Sequence, residues 1–335
     1  MISIQSQNGS KTVDIRLSDG SSVELLARGA TLVRWRTQDG TDLVARYADD
    51  SLYGKGGMYL GTTVGMSAGR IKDARCTVAG VAYELVSPSK HYLHGGGNGL
   101  DSVEFTIEEA VMDETSAHVV FSKRYRHPIL PATADVKIIY DVAPGDIRLQ
   151  FQVTTDAPIL CNITNHSYFN LDGDYDHPFD DHELRISADR VVLVDNEIIA
   201  TDILPVDGTA FDFRVGKPLL PVVMKPFLQR QGARGLDHYF LLNKTKGPQL
   251  TLHAKKSGRT LDVTTSYPGI TVYTTNFPTQ DPVQTGRPLA RHSAVAIEPQ
   301  FQSDGVNDRR FHDFTLYSDE LYRHEIRYQL KEETK

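Results

Sequence analysis

The chain has 335 residues, of which 40% are hydrophobic and 24% charged, with a formal net charge of −7. That balance belongs to a folded, soluble protein and excludes a disordered chain. The acidic charge, without a basic stripe, argues against a nucleic-acid binder, though not against small neutral ligands.

In chain order, the N-terminus MISIQSQNGSKTVDIRL lacks the basic start and apolar run of a signal peptide. No later segment reaches the roughly 18 apolar residues of a membrane span. SSVELLA (21–27) and TLVRWRT (31–37) read as strands split by Arg28-Gly29-Ala30. Val136, Ile138 and Tyr140 alternate with polar residues, as do Ile147, Leu149, Phe151 and Val153. Ala143-Pro144-Gly145-Asp146 lies between them, which predicts a hairpin with one apolar face. PFLQRQG (226–232) has room for a turn or two of helix. QLTLHA, RTLDVTTS and ITVYTTN, within 249–276, read as three strands broken by KKSG and YPG. Many short strands with frequent Gly and Pro turns indicate an all-β sandwich or barrel. With no repeat or low-complexity linker, residues 1–335 are expected to form a single domain with very little helix. Cys76 and Cys161 cannot make a disulfide framework, so two free thiols in a reducing, cytoplasmic compartment are expected.

Several motifs fail on inspection. The run His94-Gly95-Gly96-Gly97-Asn98-Gly99 lacks the Lys-Ser/Thr of a phosphate loop, and position 100 is leucine where a dinucleotide fingerprint needs glycine. It reads as a tight turn needing positive φ. Asp172, Asp174, Asp176, Asp180 and Glu183 fall at calcium-loop positions, but His177 stands where the sharp turn needs glycine. Loop 172–183 therefore reads as solvated and acidic. His177 and His182 could hold a metal, but neither a His-x-x-x-His helix nor a Cys-x-x-Cys pair supports one. No G-x-S-x-G elbow is present.

Five segments place charged or imidazole groups among glycine, aromatic or aliphatic residues. They are GMSAGRI (65–71), LHGG (93–96), TNHSYFNLDG (164–173), GLDHYFLL (235–242) and AIEPQFQSDGVN (296–307). Taken alone, His166 reads as a core histidine, Arg70 as a salt-bridged core arginine and Asp237 as a turn cap. In this order, with DHELRISADR and GTAFDF (208–213), the segments resemble the aldose 1-epimerase (galactose mutarotase) family from Gly29 to LYRHEIRYQL at 321–330.

The resemblance implies a large antiparallel β-sandwich that interconverts the α and β anomers of a free aldose, with no metal and no nucleotide cofactor. It implies Glu298 as the base at the anomeric hydroxyl and His166 as the acid at the ring oxygen. By the same resemblance Arg70, His94 and Asp237 bind and orient the sugar. Nearby carboxylates are expected to favour the His166 imidazolium. Asn165 and Asn170 are expected to fix its surroundings, with Tyr168 and Phe169 packed beneath the ring.

The sequence also departs from the family pattern. Gly69 stands where an asparagine is common, Thr271 where a glutamine is common, and Met66 where an arginine is common. A smaller, less polar wall at Gly69 and Thr271 is the expectation, which leaves a different or larger reducing sugar such as maltose open. Two competing functions use the same residues: a non-catalytic sugar-binding protein on this fold, and a glycoside hydrolase that pairs Asp237 with Glu298.

Overall fold

The computed structural model describes residues 1–332 except Asn8 and Gly56. Its frame is a nine-stranded antiparallel sheet in the order Thr106–Met112, Ala117–Arg126, Thr133–Ala143, Asp146–Thr155, Tyr322–Glu332, Arg259–Thr265, Leu250–Ala254, His182–Ile186 and Lys217–Pro218. The hairpin expected around Pro144-Gly145 forms with Ala143 opposite Asp146. Val136 faces Val153, Ile138 faces Phe151 and Tyr140 faces Leu149, and all six are buried. Period-2 alternation thus turns one whole face of these strands into the core, while Lys137, Gln150 and Gln152 lie outside it.

A six-stranded antiparallel sheet carries Tyr168–Phe169, Val295–Gln300, Gly269–Tyr273, Asp237–Leu242, Ala188–Val194 and Ala200–Pro205 in that order. A four-stranded meander, Ile2–Gln7 to Thr31–Arg36, contributes Val13, Ile15, Val23, Leu25 and Trp35 to the same core cluster. Of the three runs within 249–276, the first two pair with each other in the nine-stranded sheet. The third joins the six-stranded one. The Tyr267-Pro268-Gly269 break is therefore a crossing between sheets, not a hairpin turn. Among the described residues helix is confined to short pieces, including Leu220–Val223 and Pro226–Arg230, the latter inside PFLQRQG.

The six-stranded sheet is buried on both faces near its centre: every residue of Val295–Gln300 is buried. Val295 and Ile297 point into the main core, and Ala296 joins a second cluster with Tyr47, Leu60 and Tyr168. Alternation then sends Glu298 and Gln300 to the side away from the main core, which is where a pocket opens.

Candidate active site

The pocket wall is one face of the six-stranded sheet, and its side chains come in i, i+2 pairs. Asp237 and Tyr239 come from one strand, Thr271 and Tyr273 from the next, and Glu298 and Gln300 from the third. Register aligns them in two rows. Tyr239, Thr271 and Glu298 are successive partners, and so are Asp237, Tyr273, Ala296 and Tyr168. Residues far apart in sequence are thereby held on rigid neighbouring strands about 5 Å apart.

The remaining groups arrive on short connections. Arg70 pairs with Leu93 in a two-stranded ladder, which continues as the His94 N–H donates to the Gly69 carbonyl. Arg70 and His94 are neighbours for that reason. His166 follows the bridge Thr164–Asn165, with its N–H donating to Thr62 O and its carbonyl accepting from Gly61 N–H. Asn165 braces this turn: its Nδ2 donates to Gly61 O (2.8 Å) and its Oδ1 accepts from the Ser167 N–H. Asn170 ties the segment to Ser293 and Asp174 through two donated hydrogen bonds. Tyr168 stacks on the His166 ring, centroids 5.0 Å apart at 28°. Phe169 does not lie beneath that ring; alternation turns it into the main core, where it meets Tyr328.

All five residues singled out from the sequence, Arg70, His94, His166, Asp237 and Glu298, line this one pocket. His166 Nε2 lies 3.4 Å from Glu298 Oε1, and the two side chains are only 6% and 4% exposed. Arg70 Nη1 lies 3.5 Å from Asp237 Oδ2. Arg70 is thus ion-paired, but a quarter of its side chain stays exposed in the pocket, and Asp237 sits on a strand rather than capping a turn.

Burial shifts the titratable groups of the site. It pushes the Glu298 carboxyl well above the usual carboxylate range, reinforced by the Asp237 charge and opposed by Arg70. It pushes His166 down to about 4, with the Arg70 guanidinium adding to the effect. Asp237 is raised by burial against the pull of Arg70. The expectation that carboxylates favour the His166 imidazolium therefore does not hold here. Burial lowers His166 with help from the Arg70 charge and raises Glu298, so both shifts favour the uncharged forms of the pair.

His94, His166 and Glu298 bring three ligand atoms close enough to surround one ion. The hydrogen bonding of His94 argues against that use. Its Nδ1 accepts from the Gly69 N–H at 3.1 Å, so in the neutral ring the proton sits on Nε2. Neither nitrogen then offers a lone pair to a metal, and His94 is a fixed Nε2–H donor toward the pocket. The acidic loop does not reproduce the pairing considered from sequence. His177 is exposed and bonds Asp174, whereas His182 is buried and bonds Asp181 through Nδ1 and the Leu171 N–H through Nε2. The glycine run is the turn expected: Gly95, Gly96 and Gly97 all have positive φ, and a Cβ at Gly95 would collide with Gly99.

The wall at Gly69 and Thr271 is neither open nor apolar. Gly69 has φ +74°, and a Cβ there would collide with the Cβ of Ser303, which fills that space. The Thr271 hydroxyl accepts from Gln300 Nε2 at 2.9 Å. Gln302 and Ser303 complete a polar wall. Sequence reasoning did not single out Tyr59, Tyr273, Gln302 or the apolar rim of Val192, Val194, Ile198 and Phe277. Stepping by two from Thr271 and from Gln300 would have found Tyr273 and Gln302. The rim carries no local signal.

A family model described as aldose 1-epimerase matches residues 11–329. Galactose mutarotase from Rattus norvegicus is 32% identical over 320 residues, covering 92% of this chain and 90% of that one. Aldose 1-epimerase from Haemophilus influenzae is 34% identical over 259 residues, 74% of this chain and 73% of its own. Among solved structures, an aldose epimerase homologue from C. elegans superposes with a TM-score of 0.84 at 32% identity, covering 97% of this chain and all of that one. Galactose 1-epimerase from Lactobacillus acidophilus shares the fold with a TM-score of 0.86 at 22% identity, covering 100% and 99% of the two chains.

Proposed function

The chain belongs to the aldose 1-epimerase family, and we propose that Glu298 and His166 are the acid–base pair of its mutarotase reaction. The activity is that of an isomerase: it interconverts the anomers of a free aldose. The observation that carries the assignment is the 3.4 Å approach of two buried, oppositely acting groups on the wall of one pocket.

Ring opening removes the proton of the anomeric hydroxyl and delivers one to the ring oxygen. In the proposed cycle Glu298 carboxylate takes the first and His166 imidazolium gives the second. The C1–O5 bond breaks as the C1 carbonyl forms. That leaves Glu298 protonated and His166 neutral, the direction in which burial shifts both groups. Rotation about C1–C2 presents the other carbonyl face. Closure then runs the transfers backward: Glu298 protonates the carbonyl oxygen while His166 takes the proton of the attacking hydroxyl. Both protonation states are productive, one for each half of the cycle, and the proton count never changes. Each transfer is of the kind worth about 10²–10⁴ in rate.

Arg70 and Asp237 form the orienting pair, with Arg70 donating to sugar oxygens and Asp237 accepting from hydroxyls. His94, held as an Nε2–H donor, bonds the ring oxygen or a hydroxyl. The Thr271–Gln300 bond and the filled space at Gly69 support a monosaccharide-sized site with a polar wall. A non-catalytic sugar-binding role would need no buried acid–base pair. The whole chain is proposed to act as one domain, since a single core cluster draws on residues from Val13 to Tyr328. The cytoplasm is the proposed compartment. Cys76 and Cys161 are buried and unpaired, and among the described residues no helix is long and apolar enough to cross a membrane.

Polarimetry on freshly dissolved α-D-galactose and α-D-glucose tests the assignment. Acceleration by the wild type and its loss in Glu298→Gln and His166→Asn is the expected result. Equal rates in all three would overturn it.

A further inference from the structure

We propose that Tyr168, assisted by Tyr59, is the positioning residue that aims the His166 ring for proton transfer; this rests on the acid role assigned to His166. A histidine that cycles a proton is ordinarily fixed by a hydrogen bond on its second nitrogen. Among the described residues, the buried Nδ1 of His166 makes no hydrogen bond to any other residue. Its backbone is anchored to Thr62 and Gly61, but those bonds leave the ring free to turn about χ1 and χ2.

What constrains the ring is aromatic contact. Tyr168 stacks on it at 5.0 Å and 28°, Tyr59 lies at 5.9 Å and 34°, and the His94 ring meets it edge-on at 5.3 Å and 84°. Tyr168 is well placed to transmit order. It is buried, it is edge-to-face with Tyr273 at 6.0 Å, and its backbone pairs with Ala296, two residues from Glu298 on the same strand. The stack thus references the acid's ring plane to the strand that carries the base, and so sets the 3.4 Å separation of Nε2 and Oε1.

The same faces act on charge. When His166 takes a proton in this desolvated site, the quadrupole of a stacked ring favours the imidazolium. The charged and titratable groups that share the pocket with it are Glu298, Asp237, Arg70, His94 and the phenols of Tyr59, Tyr168, Tyr239 and Tyr273. The Arg70 charge opposes the imidazolium, so the aromatic contribution is made against an unfavourable background.

Tyr168→Leu keeps bulk and removes the face, whereas Tyr168→Phe keeps the face. For α-D-galactose between pH 5 and 9, Tyr168→Leu is expected to lower kcat about tenfold or more. It should leave KM within about twofold and move the acidic limb of the kcat profile, and Tyr168→Phe should recover most of the lost rate. If Tyr168→Leu does not fold, Tyr59→Leu provides the second measurement, with the same sign and a smaller effect. Wild-type kcat and pH profile in the leucine variant, with His166→Asn inactive, would overturn this proposal alone. So would a phenylalanine variant as slow as the leucine one. Wild-type activity in His166→Asn would overturn the acid role and this proposal together.

Discussion

Replacing Glu298 by glutamine separates the chemistry of the site from its packing. The two side chains have the same shape, so no cavity opens on a strand where every residue is buried. Glutamine cannot take a proton from the anomeric hydroxyl. The other carboxylate of the orienting set, Asp237, is paired with Arg70 at 3.5 Å and is not free to replace it. Loss of one acid–base partner is worth about 10²–10⁴ in kcat, or about 2.7–5.4 kcal/mol at 1.36 kcal/mol per tenfold. KM should change little, because sugar binding is assigned to Arg70, His94 and Asp237. Stability should move the other way. The carboxyl is raised by burial, so its stabilising contribution is present below its ordinary range of about 4.3 and is lost as pH rises through the folded value. Glutamine has no such loss. The variant should therefore match or exceed the wild-type Tm at pH 8, and the difference should shrink toward pH 4. Polarimetric kcat and calorimetric Tm, measured on the same preparation, check both halves. A variant that keeps more than about a tenth of wild-type kcat would refute the base assignment. A lower Tm than wild type at pH 8 would refute the account of the buried carboxyl.

Four further outcomes follow from the same geometry. Because the two transfers belong to one step, Glu298→Gln with His166→Asn should cost about as much as the slower single variant; additive losses in kcat would show independent roles. His166, lowered to about 4 by burial, stabilises the fold above its ordinary value near 6.5, and that contribution is lost as pH falls through about 4. Urea midpoints of wild type should therefore fall more steeply than those of His166→Asn between pH 6.5 and 4, and parallel curves would contradict this. Gly69→Ala combines a left-handed backbone with a collision against Ser303 and should cost about 1–3 kcal/mol; adding Ser303→Gly should recover part of it in urea titrations, and no recovery would show that the collision is not the cause. Since the Gly69 N–H holds His94 as a donor, EDTA should leave the rate unchanged, and micromolar zinc should neither inhibit nor give a calorimetric binding signal; stoichiometric zinc binding abolished by His94→Ala would refute the tautomer assignment.

The local rules of the chain were legible from the residues. Alternation at 136–140 and 147–153, with the turn signal at Pro144-Gly145 between them, gave the hairpin and its inward face. The glycine run 95–97 was readable as a positive-φ turn, and PFLQRQG as a short helix. The ordered segments around Arg70, His94, His166, Asp237 and Glu298 pointed to one family, and those five residues line one pocket. These readings succeed because side-chain period and turn chemistry depend only on neighbouring residues. Tertiary structure decided what depends on distant ones. It placed ITVYTTN in a different sheet from QLTLHA and RTLDVTTS, because strand pairing is settled by which apolar faces can be buried together. It set the rows Tyr239–Thr271–Glu298 and Asp237–Tyr273–Ala296–Tyr168, because register is a relation between strands. It filled the space at Gly69 with Ser303, which lies more than 200 positions away in sequence. It also reversed the expected charge on His166. A neighbouring carboxylate can be guessed from sequence, but the desolvation that outweighs it exists only once the chain has closed around the ring.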